Sequence, residues 1–380
     1  MNILFLCNYM LEDVMTERHN RNTFAQSANN KINQIVSALT SNDHQVTLLS
    51  SGLVNNRSGR FYKRFKSREC GHLHYASIID LPILNTVSSL LSMVALVASI
   101  RKTMKVDYII FWNYKPEVAV AAYLCKKLFG IKIIVDYEDG YFSLNQLGFK
   151  SKIFNLAEKL VSRHVDGAIL ISKSLISRIH NKPYMILNGL TNKKVMDYSY
   201  HGVKSEKITL MYAGGLDYER GIDVLLEALK YTKQEFTLYI TGQGPLADTL
   251  SGDCDPRVEY LGYLEYEETI RRMHEADILI NPQRETIAFA NASFPSKIFD
   301  YLATGNLIIS SNVADMKAFA KQAFYIYEND NPQQLSACID QSIRDIQHNS
   351  NDDKLTRIRQ LKQEFLPENV GMKISATLLN

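Results

Sequence analysis

Residues 294 to 311 constrain this chain more than any other stretch. Pro295 suits the first turn of a helix, Ser296 is a candidate cap, and Gly305 is the matching stop. The spacing predicts a short helix over about 297–304. Beyond Gly305, the apolar run Leu307-Ile308-Ile309 is bounded by polar residues and reads as a strand covered on both faces. Helix, glycine and buried parallel strand in succession point to an α/β architecture.

The same units recur from end to end. Asn2 to Cys7, Gln45 to Ser50, Val106 to Trp112, Ile131 to Val135, Asp166 to Ile171 and Tyr184 to Leu187 read as strands of a first sheet. Pro116 to Phe129 reads as a helix closed by Gly130, and a serine-capped helix follows Ser172. The polar stretch Thr191 to Lys207 reads as a linker. After it, Ile208 to Ala213, Phe236 to Thr241, Arg257 to Leu261, Asp277 to Asn281 and Ala323 to Tyr327 read as a second series of strands. Ile222, Leu225, Leu226 and Leu229 form the apolar stripe of a helix packed on that sheet. A chain of 380 residues is too long for one ordinary core. The expected division is 1–190, a linker at 191–207, 208–366, and a terminal helix at 367–380 that returns to the first domain.

Composition removes several function classes. A net charge of +3 gives little support to nucleic-acid binding, and no ladder of basic and aromatic residues accompanies it. The five cysteines are scattered without a Cys-x-x-Cys pair, which fits a reducing compartment and neither a disulfide framework nor a zinc site. The first residues run directly into a strand, so the expectation is a cytoplasmic protein without a leader. No Gly-x-Gly-x-x-Gly follows that strand, which argues against a dinucleotide dehydrogenase.

Candidate chemistry gathers at the ends of strands. Gly214 and Gly215 follow the strand at 208–213 and let backbone approach a diphosphate, with Arg220 able to grip phosphate oxygens as a fork. The open NH groups at the start of the helix at 297, with Ser296 and Lys297, suit a phosphate, and Asp300 one turn on suits the two hydroxyls of a ribose. In the first half, Asp136, Glu138 and Asp139 crowd a strand end, where a raised pKa would fit proton transfer or stabilisation of positive charge near a sugar carbon. The plainer alternative there is a turn rich in Asp and Gly.

Two further stretches stand apart. Six of the twelve residues at 57–68 are basic, including Arg60, Lys63 and Arg64, and Phe61, Tyr62 and Phe65 lie among them. This is a loop either resting on anionic lipid headgroups or simply solvated. Ile83 to Ile100 carries no charge but is broken by Asn85, Thr86 and several serines. It is also near the lower limit for crossing about 30 Å of hydrocarbon. It reads as a half-buried helix, with a monotopic membrane contact left open.

The run Pro-Ser-Lys-x-x-Asp-Tyr-x-Ala-x-Gly at 295–305 resembles the donor segment of glycosyltransferase family 4, retaining sugar transferases with the GT-B fold. That resemblance implies two doubly wound Rossmann-like domains facing across a cleft, with acceptor on the N-terminal and donor on the C-terminal domain. It implies Asp139 as the catalytic residue, with Glu138 in reserve, and Gly262, Tyr263 and Leu264 offering contacts to the nucleobase. The family's Glu-x7-Glu pair would fall at positions 292 and 300, occupied here by Ala292 and Asp300. The family's Gly-Arg-Leu is Gly-Gly-Leu here, with Arg220 in place of the family's lysine, so Lys297 is expected to supply the second charge. The implied reaction is sugar transfer from a UDP- or GDP-linked donor to a saccharide acceptor, lipid-linked and part of bacterial surface polysaccharide assembly. No cofactor or metal is expected, and any membrane contact would be peripheral. An epimerase on the same fold, or a non-catalytic sugar-nucleotide-binding subunit, are the alternatives.

Overall fold

The computed structural model describes residues 1–19, 26–138, 148–202, 205–251, 255–287 and 294–379. Asp139 and Ala292 lie outside them. The chain packs as two units, one of Met1–Asn188 with Pro367–Asn380 and the other of Gly189–Leu366.

The first unit is built on strands β1 (Asn2–Cys7), β2 (Gln45–Ser50), β3 (Phe61–Tyr62), β4 (Phe65–Lys66), β5 (Leu73–Tyr75), β6 (Ile78–Ile79), β7 (Tyr108–Trp112), β8 (Lys132–Tyr137), β9 (Gly167–Leu170) and β10 (Tyr184–Ile186). Eight of them form one sheet in the order β10-β9-β8-β7-β1-β2-β5-β4, parallel except for the β4–β5 pair. Phe5, in register with Leu48 on one side and Ile110 on the other, heads a row that continues through Ile134 to Gly167. The four side chains of that row are buried. This is why β1, β7 and β8 read as unbroken apolar runs: both faces of a parallel sheet are covered. The covering helices are α1 (Glu12–Glu17), α2 (Gln26–Thr40), α3 (Leu84–Ile100), α4 (Pro116–Phe129) and α5 (Gly148–Val161). Helix α4 has Pro116 in its first turn and ends on Gly130 in the left-handed region.

Two expectations change here. The basic stretch 57–68 is not all loop: β3 pairs antiparallel with β6, and β4 with β5. Its aromatic residues favour extended backbone, and neighbouring strands satisfy that backbone. The segment after Ser172 forms a 3-10 helix, Lys173–Arg178, and Ser172 shares a hydrogen bond with Ser174 instead of capping it.

The second unit holds β11 (Thr209–Ala213), β12 (Thr237–Thr241), β13 (Val258–Tyr260), β14 (Ile278–Asn281), β15 (Leu307–Ser311) and β16 (Tyr325–Tyr327). They form an all-parallel sheet in the order β13-β12-β11-β14-β15-β16. Numbered within the unit this is 3-2-1-4-5-6, the doubly wound order, whose switch point lies between β11 and β14. Helices α6 (Lys193–Met196), α7 (Ile222–Leu229), α8 (Ala247–Ser251), α9 (Tyr266–Glu275), α10 (Lys297–Thr304), α11 (Met316–Ala320), α12 (Pro332–Gln347) and α13 (Asp352–Glu364) complete it. The segment at 191–207, polar enough to read as a linker, belongs to this unit. Thr191 N donates to Phe365 O at 2.9 Å, and His274 Nε2 meets Val195 O at 2.8 Å.

Beyond Leu366 the chain rejoins the first unit through α14 (Pro367–Leu378). Gly371 permits the approach of α14 to α2, because a Cβ there would lie 1.9 Å from Ala38 O. His44 Nε2 and Ser375 Oγ, 2.7 Å apart, and Asn42 Nδ2 donating to Glu368 O at 2.9 Å tie the helix down.

Candidate functional site

In an open α/β sheet, ligands bind outside the carboxyl ends of the strands at the switch point. In the second unit those ends are Ala213 of β11 and Asn281 of β14. The chain turns off β11 through Gly214, at φ +149°, and Gly215. A Cβ on Gly214 would stand 2.7 Å from the Lys297 ammonium. Gly221, at φ +70°, brings the loop within reach of the other strand end, since a Cβ there would lie 2.0 Å from Pro282 O.

Between those glycines Asp217 caps a 3-10 turn, Tyr218–Arg220, its Oδ1 accepting Arg220 N at 2.9 Å. The turn points Arg220 back toward the switch point, where its Nη1 donates to Gln283 Oε1 at 2.8 Å. Gln283 is itself held by the Ser311 hydroxyl, which donates to its backbone oxygen.

Lys297 opens α10, and its nitrogen sits 4.0 Å from the centre of the Tyr212 ring. That ring is fixed by its hydroxyl, which donates to Gly215 O at 2.6 Å. The Lys297 nitrogen is buried and has no hydrogen-bond partner among the described residues. Burial pushes its pKa down from 10.5 to about 7; the positive charge of Arg220 adds to the shift and Asp217 opposes it. Two cationic groups therefore converge on the glycine loop, one of them a buried ammonium with no acceptor among the described residues. A cation in that state lacks an anion.

Asp300 follows one turn later on the same helix face. Its carboxylate accepts Asn192 Nδ2 at 2.9 Å, and the same amide nitrogen donates to the Tyr266 hydroxyl. Burial raises the Asp300 pKa to about 6, with the Asn192 hydrogen bond working the other way. Asn192 is held in place because its side-chain oxygen accepts Lys194 N at 3.1 Å. Sequence reasoning missed Asn192, which sits in a stretch whose polarity resembles a linker.

Ser296 departs from expectation. Its backbone is already helical, at φ −58° and ψ −30°, and its side chain makes no capping bond. A cap needs extended backbone to fold its side chain over the helix end. Gly262, at φ +67°, spends its carbonyl on Gly242 N at 2.9 Å and Thr241 Oγ1 at 2.7 Å. The Tyr263 ring beside it is 62% exposed, and Leu264 follows.

The first unit has its own switch point, between β1 and β7. Glu138 lies one strand further, just past β8, where its NH donates to Asn113 Oδ1 at 2.8 Å. Its carboxylate accepts Trp112 Nε1 at 3.2 Å and stands 3.6 Å from Lys31 Nζ. At the end of β1, Asn8 Nδ2 donates to Glu117 at 3.2 Å. Neither Lys31 nor Trp112 carried a sequence signal, because both partners are distant in the chain. Arg60, Tyr62, Lys63 and Arg64 belong to the β3–β4 segment, beyond β2 and away from this switch point.

Comparison with known proteins bears on the fold and on the sequence pattern of the second unit. The family model described as Glycosyl transferases group 1 matches residues 207–345, the span that contains Gly214, Arg220, Lys297 and Asp300. An uncharacterized 41.2 kDa protein in the cps region of Klebsiella pneumoniae is 23% identical over 253 residues, 60% of this chain and 67% of that protein. The putative teichuronic acid biosynthesis glycosyltransferase TuaH of Bacillus subtilis (strain 168) is 25% identical over 205 residues, 48% of this chain and half of that one. The crystal structure of Anabaena HepE in complex with UDP superposes with a TM-score of 0.63 at 11% identity, covering 99% of both chains. Residues 207–345 thus carry the sequence pattern of the group 1 glycosyl transferases, and the chain as a whole has the GT-B glycosyltransferase fold.

Proposed function

We propose that this chain is a retaining glycosyltransferase of the family 4 type that moves a sugar from a nucleotide-diphosphate donor to a saccharide acceptor in surface polysaccharide assembly. The observation that carries the donor half is the buried, unpartnered Lys297 ammonium beside Arg220 and the Gly214-Gly215 turn. A diphosphate supplies the missing anion, met by two cations and by the open NH groups of α10, with no metal assigned. Asp300, oriented by Asn192, takes the ribose hydroxyls, and the 262–264 segment with its exposed Tyr263 takes the base. The Anabaena protein of the same fold was crystallised with UDP, which favours UDP over GDP.

The acceptor half rests on the first unit, with Asp139 or Glu138 acting at the sugar carbon. The two relatives, one from a cps region and one named for teichuronic acid biosynthesis, favour a cell-surface polysaccharide product. Among the described residues no helix is long and apolar enough to cross a membrane. A lipid-linked acceptor would then be met from the cytoplasmic face by peripheral contact.

Calorimetric titration with UDP and GDP, with and without magnesium, tests the donor site. The expected result is micromolar binding of one nucleotide, unchanged by magnesium and weakened in Lys297→Ala. Binding of neither overturns the reading. Incubation with sugar nucleotide alone separates transfer from epimerisation, since an epimerase converts it without an acceptor. Transfer unaffected by Asp139→Ala would remove that residue from the chemistry.

A further inference from the structure

Helix α3 contradicts the usual pattern of a surface helix. Ser89, Met93, Leu96 and Val97 face the core, so the other side should be polar. Its exposed positions are instead Leu84, Val87, Leu91, Ala95 and Ser99, with no charge anywhere on the helix. Leu81 and Ile83 extend the exposed row ahead of it, with Ile83 at 67% and Leu91 at 59% exposure. A contiguous apolar row of this kind marks an interaction surface.

The basic segment is stitched to the same edge. Ile79 N and Ser77 N donate to Ser88 Oγ at 2.9 Å and Ser92 Oγ at 2.7 Å, so β6 runs along α3. On a helix, the Ser88–Ser92 row adjoins the Leu84–Leu91 row. Strand β3 pairs with β6, placing exposed Phe61 opposite Ile79. The Asp80 carboxylate, turned inward, gathers the NH groups of Arg57 at 3.1 Å and Ser58 at 2.9 Å. Arg57, Arg60, Lys63 and Arg64 stay exposed around β3. From residue 53 to 104 the only acids are Glu69 and Asp80. Glu69 accepts Asp13 N, and Asp80 is spent on the turn at 57–58.

We propose that this edge of the first unit is a monotopic docking face for an anionic bilayer. Leu81, Ile83, Leu84, Val87 and Leu91 enter the boundary between headgroups and acyl chains, and Arg57, Arg60, Lys63 and Arg64 lie on the lipid phosphates. A helix about 25 Å long lying in the membrane plane needs no spanning segment. Charge decides the occupant. A second copy packed through the same face would oppose basic residues to basic residues, whereas phosphate headgroups neutralise them. The inference deepens the lipid-linked acceptor reading and rests on it for its purpose, while its geometry is independent of the donor site.

Sedimentation with vesicles tests it. The intact chain is expected to bind vesicles of phosphatidylglycerol and phosphatidylcholine, to bind pure phosphatidylcholine much less, and to lose binding as salt is raised. The double variant Leu84→Ser, Leu91→Ser should bind the mixed vesicles at least about tenfold less. Lys63→Glu with Arg64→Glu should abolish the preference for anionic lipid. All four side chains are exposed, so melting temperature and nucleotide affinity should stay unchanged. Loss of vesicle binding with intact nucleotide binding therefore tests this face separately from the donor site. Absence of binding to anionic vesicles by the unmodified chain, or equal binding by the serine variant, overturns the proposal. A dimer split by the serine variant would assign the face to a second copy and overturn it equally.

Discussion

Replacing Lys297 with methionine should have opposite effects on binding and on stability. The ammonium is buried over the Tyr212 ring without a hydrogen-bond partner among the described residues, and its pKa falls from 10.5 to about 7. At about 1.4 kcal/mol per pKa unit, holding that charge costs folding on the order of 5 kcal/mol below pH 7. The folded pKa lies below the unfolded one, so between pH 7 and 10.5 the unfolded chain binds more protons and stability rises with pH. Methionine keeps the length and apolar stem without the charge. Lys297→Met should therefore melt higher at pH 7 and lose this rise across the window. Nucleotide binding should move the other way: a lost charge-assisted contact to phosphate is worth about 3 kcal/mol, roughly a 100-fold weaker affinity for UDP. Binding should also take up a proton, because the diphosphate restores the lysine to its charged form. A group with a pKa of about 7 is about nine-tenths neutral at pH 8, so roughly 0.9 proton should enter on binding there and about half a proton at pH 7. Calorimetry in buffers of different ionisation enthalpy reads that number directly. No proton uptake at pH 8, together with no gain in stability in the methionine variant, would refute the argument by showing that the ammonium is already compensated.

Asp300 sets the acid side of the same site. With its pKa raised to about 6 by burial, the carboxyl should lose its grip on ribose hydroxyls as pH falls through 6. Affinity for UDP should drop there in the native chain, and the Asp300-linked part of that drop should vanish in Asp300→Asn. Asn192→Ala removes the hydrogen bond that opposes the shift, so the midpoint should move up and UDP should bind about tenfold more weakly, with 2′-deoxy-UDP affected less. Equal losses for both nucleotides would show that Asn192 does not act through the ribose. Gly221→Ala places a methyl within 2.0 Å of Pro282 O at a positive φ, so it should cost at least about 3 kcal/mol and lower the melting temperature by several degrees. An unchanged melt would mean that the turn can move away from β14.

What the sequence alone settled was local. Leu307-Ile308-Ile309 announces a covered strand because a parallel sheet leaves neither face to water, and β15 is buried throughout. Gly130 and Gly305 announce helix ends because only glycine takes the left-handed turn freely, and both adopt it. Lys297 and Asp300 stand on one face because three residues make nearly one helical turn. Each of these properties depends on neighbours within a turn or on a strand's own period.

The tertiary structure decided which groups are left without partners. Lys297 becomes a poised cation because Tyr212, on β11, occupies the space beneath its nitrogen and offers a ring instead of an oxygen. Asp300 gains its orienting partner from Asn192, 108 residues away, in a segment whose polarity gave no sign of burial. Ser296 does not cap because the chain is already helical when it reaches that residue. Residues 61–62 and 65–66 of the basic stretch become strand because β5 and β6 arrive beside them, and α3 keeps an apolar outer face that its core-facing periodicity could not reveal. Such features arise where segments remote in sequence meet, and a residue's desolvation is fixed by what lies across from it, not by what precedes it.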